Sequence, residues 1–279
     1  MSSLKIRDLN AYEILASNGF PTIEVQLYFN DSEYVIASLS YGASAGRLEA
    51  KTLFDGADRY EGKGMKRAVD FVNNSFSKEI SNKTFDNIYE FDDFLLTFDD
   101  SKDLSKIGGN AILPLSIAAT KAFAKLEKIE IYEYLSKMIN SVSKIPSPMM
   151  VTIEGGKHAH DSSDLQEYCL TYTENSHPIS LQIEKVLQVY REVGKFLNKN
   201  NFSTNVGNEG AYAPNGIDSN ILPIEILKKA IINTNNRETI SISIDAAASE
   251  FSSFKNEQFY YHLNEKGNKD EYTNDELID

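Results

Sequence analysis

The stretch SVSKIPSPMMVTIEGGKHAH, residues 141–160, decides how the chain is organised. Residues 141–148 hold three serines, a lysine and two prolines, which is typical of a connection between domains. The apolar run 149–153 follows and predicts a buried strand, which ends at a pair of glycines. We therefore expect one domain over residues 1–140 and a second over residues 141–279.

Before this boundary the pattern predicts an α+β domain. Residues 22–29 alternate between apolar and polar side chains, residues 34–39 return after a turn-rich Asn30-Asp31-Ser32, and residues 4–15 supply a third strand. Apolar residues at helical spacing then predict helices over residues 63–80, 85–98, 109–126 and 131–139. The expected fold of the first domain is a three-stranded meander plus helices.

After the boundary, strands alternate with helices, as in α/β proteins. The predicted strands cover residues 149–153, 165–173 and 239–244, with a short one at 260–263. The predicted helices cover residues 177–198 and 222–232, and residues 272–279 resemble the first turn of another.

Composition excludes several classes of function. The 279 residues are 41% hydrophobic, and 28 basic against 41 acidic side chains give a net charge of −13, which disfavours nucleic acid and anionic membranes as partners. The single cysteine, Cys169, excludes an internal disulfide and a cysteine-rich zinc site. No apolar stretch is long enough to span a bilayer, and no secretory signal is visible. We expect a cytoplasmic protein.

Two glycine-flanked motifs carry residues suited to catalysis. His158 follows a glycine pair that would let the backbone approach a ligand, and its imidazole can donate to an anion. Glu209 lies between Gly207 and Gly210, where a carboxylate can be held against a substrate as a general acid. The alternative interpretation is an exposed turn in the first case and a flexible surface loop in the second.

Two further motifs lie at strand ends. Gln166 and Glu167 are adjacent at the start of a strand, so one side chain can face inward while the other is structural. Asp245 ends an apolar strand, where hard cations bind in barrel folds. The alternatives are a solvated acidic pair and an Asp that caps the next helix.

Taken in order, these motifs resemble the enolase (phosphopyruvate hydratase) family. The resemblance extends along the whole chain and rests on the following segments: 11–25, Gly42-Ala43-Ser44-Ala45-Gly46, 59–64, 109–113, Pro148-Met149-Met150, Gly155-Gly156-Lys157-His158-Ala159, Asp164-Leu165-Gln166-Glu167, Gly207-Asn208-Glu209-Gly210 and 245–251. It implies an enolase-type α/β (TIM-like) barrel as the second domain.

The resemblance also implies site roles. Glu209 matches the proton donor to the leaving hydroxyl, and Glu167 matches a carboxylate that assists it. His158 and Gln166 match substrate-binding positions, and Asp245 matches a ligand of Mg²⁺. The family reaction dehydrates 2-phosphoglycerate to phosphoenolpyruvate in glycolysis and gluconeogenesis.

Three departures from the family pattern bear on activity. The segment Tyr41-Gly42-Ala43-Ser44 matches the mobile active-site loop, but Tyr41 stands where the family has a metal-binding serine. Asn208 replaces an expected Asp. An eight-stranded barrel needs about 250 residues, more than follow residue 145, so we expect an incomplete barrel in which the base and the remaining metal ligands have no assigned residues.

Two functions from different classes remain open. The first is a magnesium-dependent carbon–oxygen lyase of the enolase type, acting on a small phosphorylated acid. The second is a truncated, non-catalytic enolase-like protein that acts as a binding or oligomerisation partner, as a homodimer or as a heterodimer with a full-length enolase. A related sugar-acid dehydratase is a weaker alternative, because such relatives usually carry a lysine pair where residues 165–168 stand here.

Overall fold

A computed structural model describes residues 3–30, 33–40, 42, 46–207 and 209–278, with only the backbone of Lys269. The chain forms two compact units, which divide between Lys144 and Ile145. Gly46 and Arg47 are grouped with the second unit. The predicted domain ranges, 1–140 and 141–279, remain a prediction, because the compactness of a unit does not test whether it folds independently.

The first unit contains the predicted meander. Strands β1 (Leu4–Leu15), β2 (Pro21–Phe29) and β3 (Glu33–Ser38) pair antiparallel, and the two-residue strand β4 (Thr84–Phe85) adds to the other side of β1. The alternating side chains Ile23, Val25, Leu27 and Phe29 are all fully buried, as the period of a half-buried strand requires. Asp31 and Ser32, part of the predicted turn, lie outside the described residues.

Helices cover one face of this sheet, at or near the predicted positions: α1 (Lys66–Asp70), α2 (Ser77–Ile80), α3 (Ile88–Leu96), α4 (Gly109–Glu127) and α5 (Ile131–Met138). Between α1 and α2 the backbone widens into a π-helical turn, Phe71–Phe76, so the predicted helix over residues 63–80 is continuous but not uniformly α. The helix α4 packs five buried alanines closely against the sheet, because small side chains allow a close approach.

In the second unit, strands β5 (Met149–Glu154), β6 (Glu167–Tyr172) and β7 (Ile240–Asp245) form a sheet in that order. Tyr168, Leu170 and Tyr172 of β6 are buried against α6 (Ile179–Lys199) and α7 (Ile221–Asn233). Strand β6 runs antiparallel to both neighbours, unlike the strands of an all-parallel barrel. This reversal places the start of β6 beside the ends of β5 and β7.

A second three-stranded sheet differs from the sequence prediction, which gave only a short strand at residues 260–263. Strands β8 (Ser252–Lys255), β9 (Gln258–Glu265) and β10 (Asn268–Thr273) form an antiparallel sheet, followed by α8 (Asn274–Ile278). Its two-residue turns, Asn256-Glu257 and Lys266-Gly267, have positive φ throughout, as tight hairpin turns require. The turn signal was missed because Asn-Glu and Lys-Gly are not the usual turn pairs, and the strands are largely polar.

In the ranges that the structure describes, no helix combines the length and the apolar character that a membrane crossing requires.

Candidate active site

Three carboxylates stand in register at one end of the β5–β6–β7 sheet. Glu167 pairs with Glu154 on one side and with Asp245 on the other, so all three side chains project from the same face. Because the alternate residues of β6 pack on the helices, this face is the one directed away from α6 and α7. The antiparallel run of β6 is what brings Glu167 to the same end as Asp245.

His158 reaches this cluster from the turn after β5. The turn needs glycine at Gly155, where a Cβ would lie 2.3 Å from Ser163 Oγ and 2.4 Å from Leu165 O, and at Gly156, where φ is +51°. The His158 side chain is only 5% exposed, and its Nδ1 lies 3.5 Å from Glu167 Oε1 and 3.8 Å from Glu209 Oε1. The turn therefore directs a buried imidazole at two carboxylates.

The loop that carries Glu209 is held by Glu154. Glu154 is completely buried, its Oε1 accepts a hydrogen bond from Ala211 N at 3.2 Å, and its backbone N–H donates to Tyr212 O at 2.8 Å. A Cβ atom on Gly207 would lie 1.7 Å from Glu154 Oε2. Glycine is therefore required at Gly207 so that the loop can pass over the Glu154 carboxyl group.

Tyr190 of α6 holds the same loop from the other side. Its hydroxyl donates to Gly210 O at 2.8 Å, and its ring stacks on Tyr212 with 4.5 Å between ring centroids. Tyr212 in turn packs over Gly194, where a Cβ would lie 2.2 Å from its hydroxyl. Gly210 and Ala211, the two residues after Glu209, are thus tied to a helix and to a strand.

Burial and like charge shift the proton affinities of this cluster. Burial, with the negative charge of Glu209 next in size, raises the pKa of Glu167 to about 7. Burial also raises the pKa of Glu154, against the lowering effect of the Ala211 N–H. At neutral pH Glu167 is therefore partly protonated, beside the charge of Glu209 and the imidazole of His158.

Cys169 lies on the same face of β6 and is fully buried. Burial, assisted by the negative charges of Glu167 and Asp245, raises its pKa to about 12. The thiol is therefore protonated at neutral pH and unsuited to act as a nucleophile.

The predicted site residues are brought together only in part. His158, Glu167 and Glu209 each offer one nitrogen or oxygen atom that could bind a metal, and these three atoms lie within 4.8 Å of one another. Asp245 is the cross-strand partner of Glu167 but lies outside this group of three, and it is exposed. Gln166 is 3% exposed, and its backbone carbonyl oxygen accepts a hydrogen bond from the Gly155 N–H at 2.9 Å.

The predicted mobile loop is largely undescribed. Tyr41, Ala43 and Ser44 lie outside the described residues, and Gly42 is exposed. The predicted role of this loop stays a prediction.

The donor chemistry at Asp245 suits Mg²⁺. It is the exposed last residue of β7, and its Oδ1 accepts a hydrogen bond from Ala247 N at 3.0 Å. A hard carboxylate oxygen is the ligand type that Mg²⁺ prefers. Asp245 is therefore chemically suited to be one of the several ligands of such an ion.

Two residues that shape the site were not predicted from the sequence, Glu154 and Tyr190. The signal for Glu154 was its place between an apolar strand and the glycine pair, since an acidic residue there ends a buried strand. Tyr190 carried no signal of its own, because on a helical face it reads as a core residue.

Comparison with known proteins gives one consistent result. Residues 6–135 match the family model of the enolase N-terminal domain, and residues 142–279 match that of the enolase C-terminal TIM barrel domain. These matches confirm the predicted fold class, an α+β domain followed by part of an α/β barrel.

Among curated proteins, the chain is 37% identical over 250 residues to Enolase 1 of Chlorobaculum tepidum, covering 88% of this chain and 58% of that protein. It is 31% identical over 265 residues to the enolase of Mycoplasmoides gallisepticum, covering 93% of this chain and 55% of that protein. It is 32% identical over 265 residues to the enolase of Ehrlichia ruminantium, covering 94% of this chain and 61% of that protein. The chain therefore spans little more than half the length of these relatives.

Proposed function

Because the chain belongs to the enolase family, we propose that it supplies the proton-donating side of an enolase-type active site. The substrate is a small phosphorylated acid, 2-phosphoglycerate, which loses its β-hydroxyl to give phosphoenolpyruvate. The observation that carries this proposal is the convergence of His158, Glu167 and Glu209 within 4.8 Å. The reaction would serve glycolysis or gluconeogenesis in the cytoplasm.

Departure of the hydroxyl needs a proton, and the carboxyl pair can provide it. A group with a pKa of about 7, as at Glu167, is matched to proton transfer at neutral pH. Glu209 is 44% exposed and can meet the substrate, while Glu167 is 12% exposed and can resupply the proton from behind. We assign Glu209 as the proton donor and Glu167 as its assistant.

Binding of the substrate anion is assigned to the neighbouring polar groups. We assign this binding to the imidazole of His158, in the turn after the glycine pair, and to the amide of the buried Gln166. The negative charge that develops on the substrate carboxylate is stabilised by a bound Mg²⁺ in the family reaction, and Asp245 would hold that ion.

Calorimetry tests this assignment directly. The chain is titrated with 2-phosphoglycerate in Mg²⁺ buffer, and phosphoenolpyruvate formation is followed in the same samples. We expect binding that His158→Gln weakens by about tenfold or more, as loss of a charge-assisted hydrogen bond implies. The matched control is His262→Gln on β9, which should bind like the wild type.

Equal affinity in wild type and His158→Gln, or no binding by the wild type, would contradict the proposal. Phosphoenolpyruvate formation by the chain alone would show that it holds the complete reaction.

A second function, pairing with another chain, is favoured by the outer strand of the barrel sheet. Among the described strands β7 pairs only with β6, and Ile244 on it is 42% exposed. An unpaired strand with exposed apolar side chains is a ready surface for another strand. We propose a homodimer, or a heterodimer with a full-length enolase, as the alternative.

Co-purification with an intact enolase would support it, and a strictly monomeric chain that does not co-purify would contradict it.

A further inference from the structure

We propose that Asn220 is a positioning residue of the candidate active site: its side chain fixes segment 163–166 and, through that segment, the turn that carries His158. Segment 163–166 leads directly into Glu167, the first residue of β6. The expected effect on substrate binding rests on the proposed function, whereas the expected effect on the turn does not depend on it.

The side chain of Asn220 does not do what an asparagine usually does at its position. Asn220 immediately precedes α7, where an asparagine normally accepts a hydrogen bond from the first N–H groups of its own helix. Among the described residues its side chain forms no such cap. Ser219 Oγ takes that role, since it accepts hydrogen bonds from Ile221 N and Leu222 N, each at 3.2 Å. The amide of Asn220 is therefore available for other partners.

Those partners lie in the irregular segment before β6. Asn220 Oδ1 accepts hydrogen bonds from Asp164 N at 2.9 Å and from Leu165 N at 3.2 Å, and its Nδ2 donates to Asp164 Oδ2 at 2.9 Å. Asn220 is only 8% exposed. Two backbone N–H groups thus depend on one buried amide, and a group shielded from water that loses its partner costs more than the bond itself contributes.

The same segment supports the glycine turn. Gly155 N donates to Gln166 O at 2.9 Å, and Gly156 N donates to Ser163 O at 2.7 Å. A Cβ atom on Gly156 would lie 3.1 Å from Asp164 O, so the two backbones pack closely. The turn therefore takes its place from the segment that Asn220 holds.

Both members of the His158–Glu167 pair depend on this segment. His158 ends the turn that the segment supports, and Glu167 follows the segment directly. Their facing atoms, His158 Nδ1 and Glu167 Oε1, lie 3.5 Å apart. Loss of the Asn220 amide should change this separation, and a displacement of about 1 Å is enough to impair a site.

Asn220 also joins the segment to the end of β9. Its Nδ2 donates to Asn264 O at 3.1 Å, and its backbone N–H donates to Glu265 Oε2 at 2.9 Å. Asn264 N donates in turn to Asp164 Oδ2 at 2.6 Å. These bonds link the start of α7, segment 163–166 and the end of β9 in one network, whose members hold one another more firmly than separate pairs would.

Asn220→Ala tests the proposal by two measurements on the folded chain. The first is native-state amide hydrogen exchange at Gly155 and Gly156, compared with Leu170 in the buried middle of β6. We expect exchange at the two glycines to accelerate at least about tenfold more than at Leu170. The second is calorimetric titration with 2-phosphoglycerate in Mg²⁺ buffer, in which the affinity should fall about tenfold.

The matched control is Asn236→Ala, beyond the other end of α7. Asn236 is 3% exposed, and its Nδ2 donates to Thr234 O at 3.1 Å, so this variant also removes a buried amide. It should lower overall stability, accelerate exchange equally at the glycines and at Leu170, and keep the wild-type affinity. If Asn220 served stability alone, the two variants would behave alike.

Equal acceleration at the glycines and at Leu170 in Asn220→Ala would overturn the proposal, as would unchanged affinity in that variant when the wild type binds. If the wild type does not bind 2-phosphoglycerate, the proposed function fails, and the exchange comparison alone decides the role of Asn220. If Asn220→Ala does not fold, Asn220→Asp replaces it, because it loses the Nδ2 donor and adds a like charge beside Asp164. The same local acceleration is then expected, and its absence is the refuting result.

Discussion

Replacing Glu167 with glutamine should make the chain more stable at neutral pH. The pKa of Glu167 rises from 4.5 to about 7 on folding, because the side chain is buried and lies beside the charge of Glu209. The folded chain therefore holds a proton that the unfolded chain releases. The stability associated with that proton is fully present below pH 4.5 and is lost as the pH rises through 7. Glutamine resembles the protonated form at every pH.

The size of the effect follows from the same values. A pKa of about 7 in the folded chain against 4.5 in the unfolded chain, at about 1.36 kcal/mol for each pH unit, gives a ceiling of about 3.4 kcal/mol. Glu209 is 44% exposed, so solvent screens its repulsion, and we discount the ceiling to about 1–2 kcal/mol. Glu167→Gln should therefore exceed the wild type by about 1–2 kcal/mol at about pH 8 and match it below pH 4.5.

Urea unfolding across this pH range, with a chelator present, measures the difference. The control is Glu225→Gln, an exposed carboxylate on α7, which should run parallel to the wild type. If the free energies of unfolding of wild type and Glu167→Gln stay parallel from pH 4.5 to 7, Glu167 does not hold a proton in the folded chain. The reasoning about the proton donor would then fail as well.

Three other substitutions test how the site and the core are held. Gly207→Ala places a methyl group 1.7 Å from Glu154 Oε2 and should lower the free energy of unfolding by about 1–3 kcal/mol, measured by urea unfolding. Tyr190→Phe removes the hydrogen bond to Gly210 O and should lower the free energy of unfolding by about 1 kcal/mol. Faster amide hydrogen exchange at Gly210 and Ala211 would show that the loss is local to this loop. Phe76→Ala empties a fully buried position among four other phenylalanine rings and should cost about 3–5 kcal/mol. A thermal melt unchanged by this last substitution would contradict the assigned core.

Local pattern was sufficient for much of the fold. The alternation in residues 22–29 and the helical spacing in residues 109–126 were sufficient to predict β2 and α4. Burial of one face makes apolar residues recur every second residue in a strand and every three to four residues in a helix, and this spacing is visible in the sequence. Of the sheet β8–β10, only the short strand at residues 260–263 was predicted, since β8 has four residues and β10 is mostly polar, and the pairing of two strands cannot be seen in the sequence of either one.

The order of the motifs by itself determined the family resemblance and named His158, Glu167 and Glu209 as residues of one site. It did so because glycines and carboxylates at these positions are required by local backbone geometry and chemistry. Only the tertiary structure decided how they meet. The antiparallel run of β6 brings Glu167 to the end of the sheet where β5 and β7 finish. The burial of Glu154 under Gly207 and the raised pKa of Glu167 follow from that crowding, since both depend on neighbours distant in the sequence.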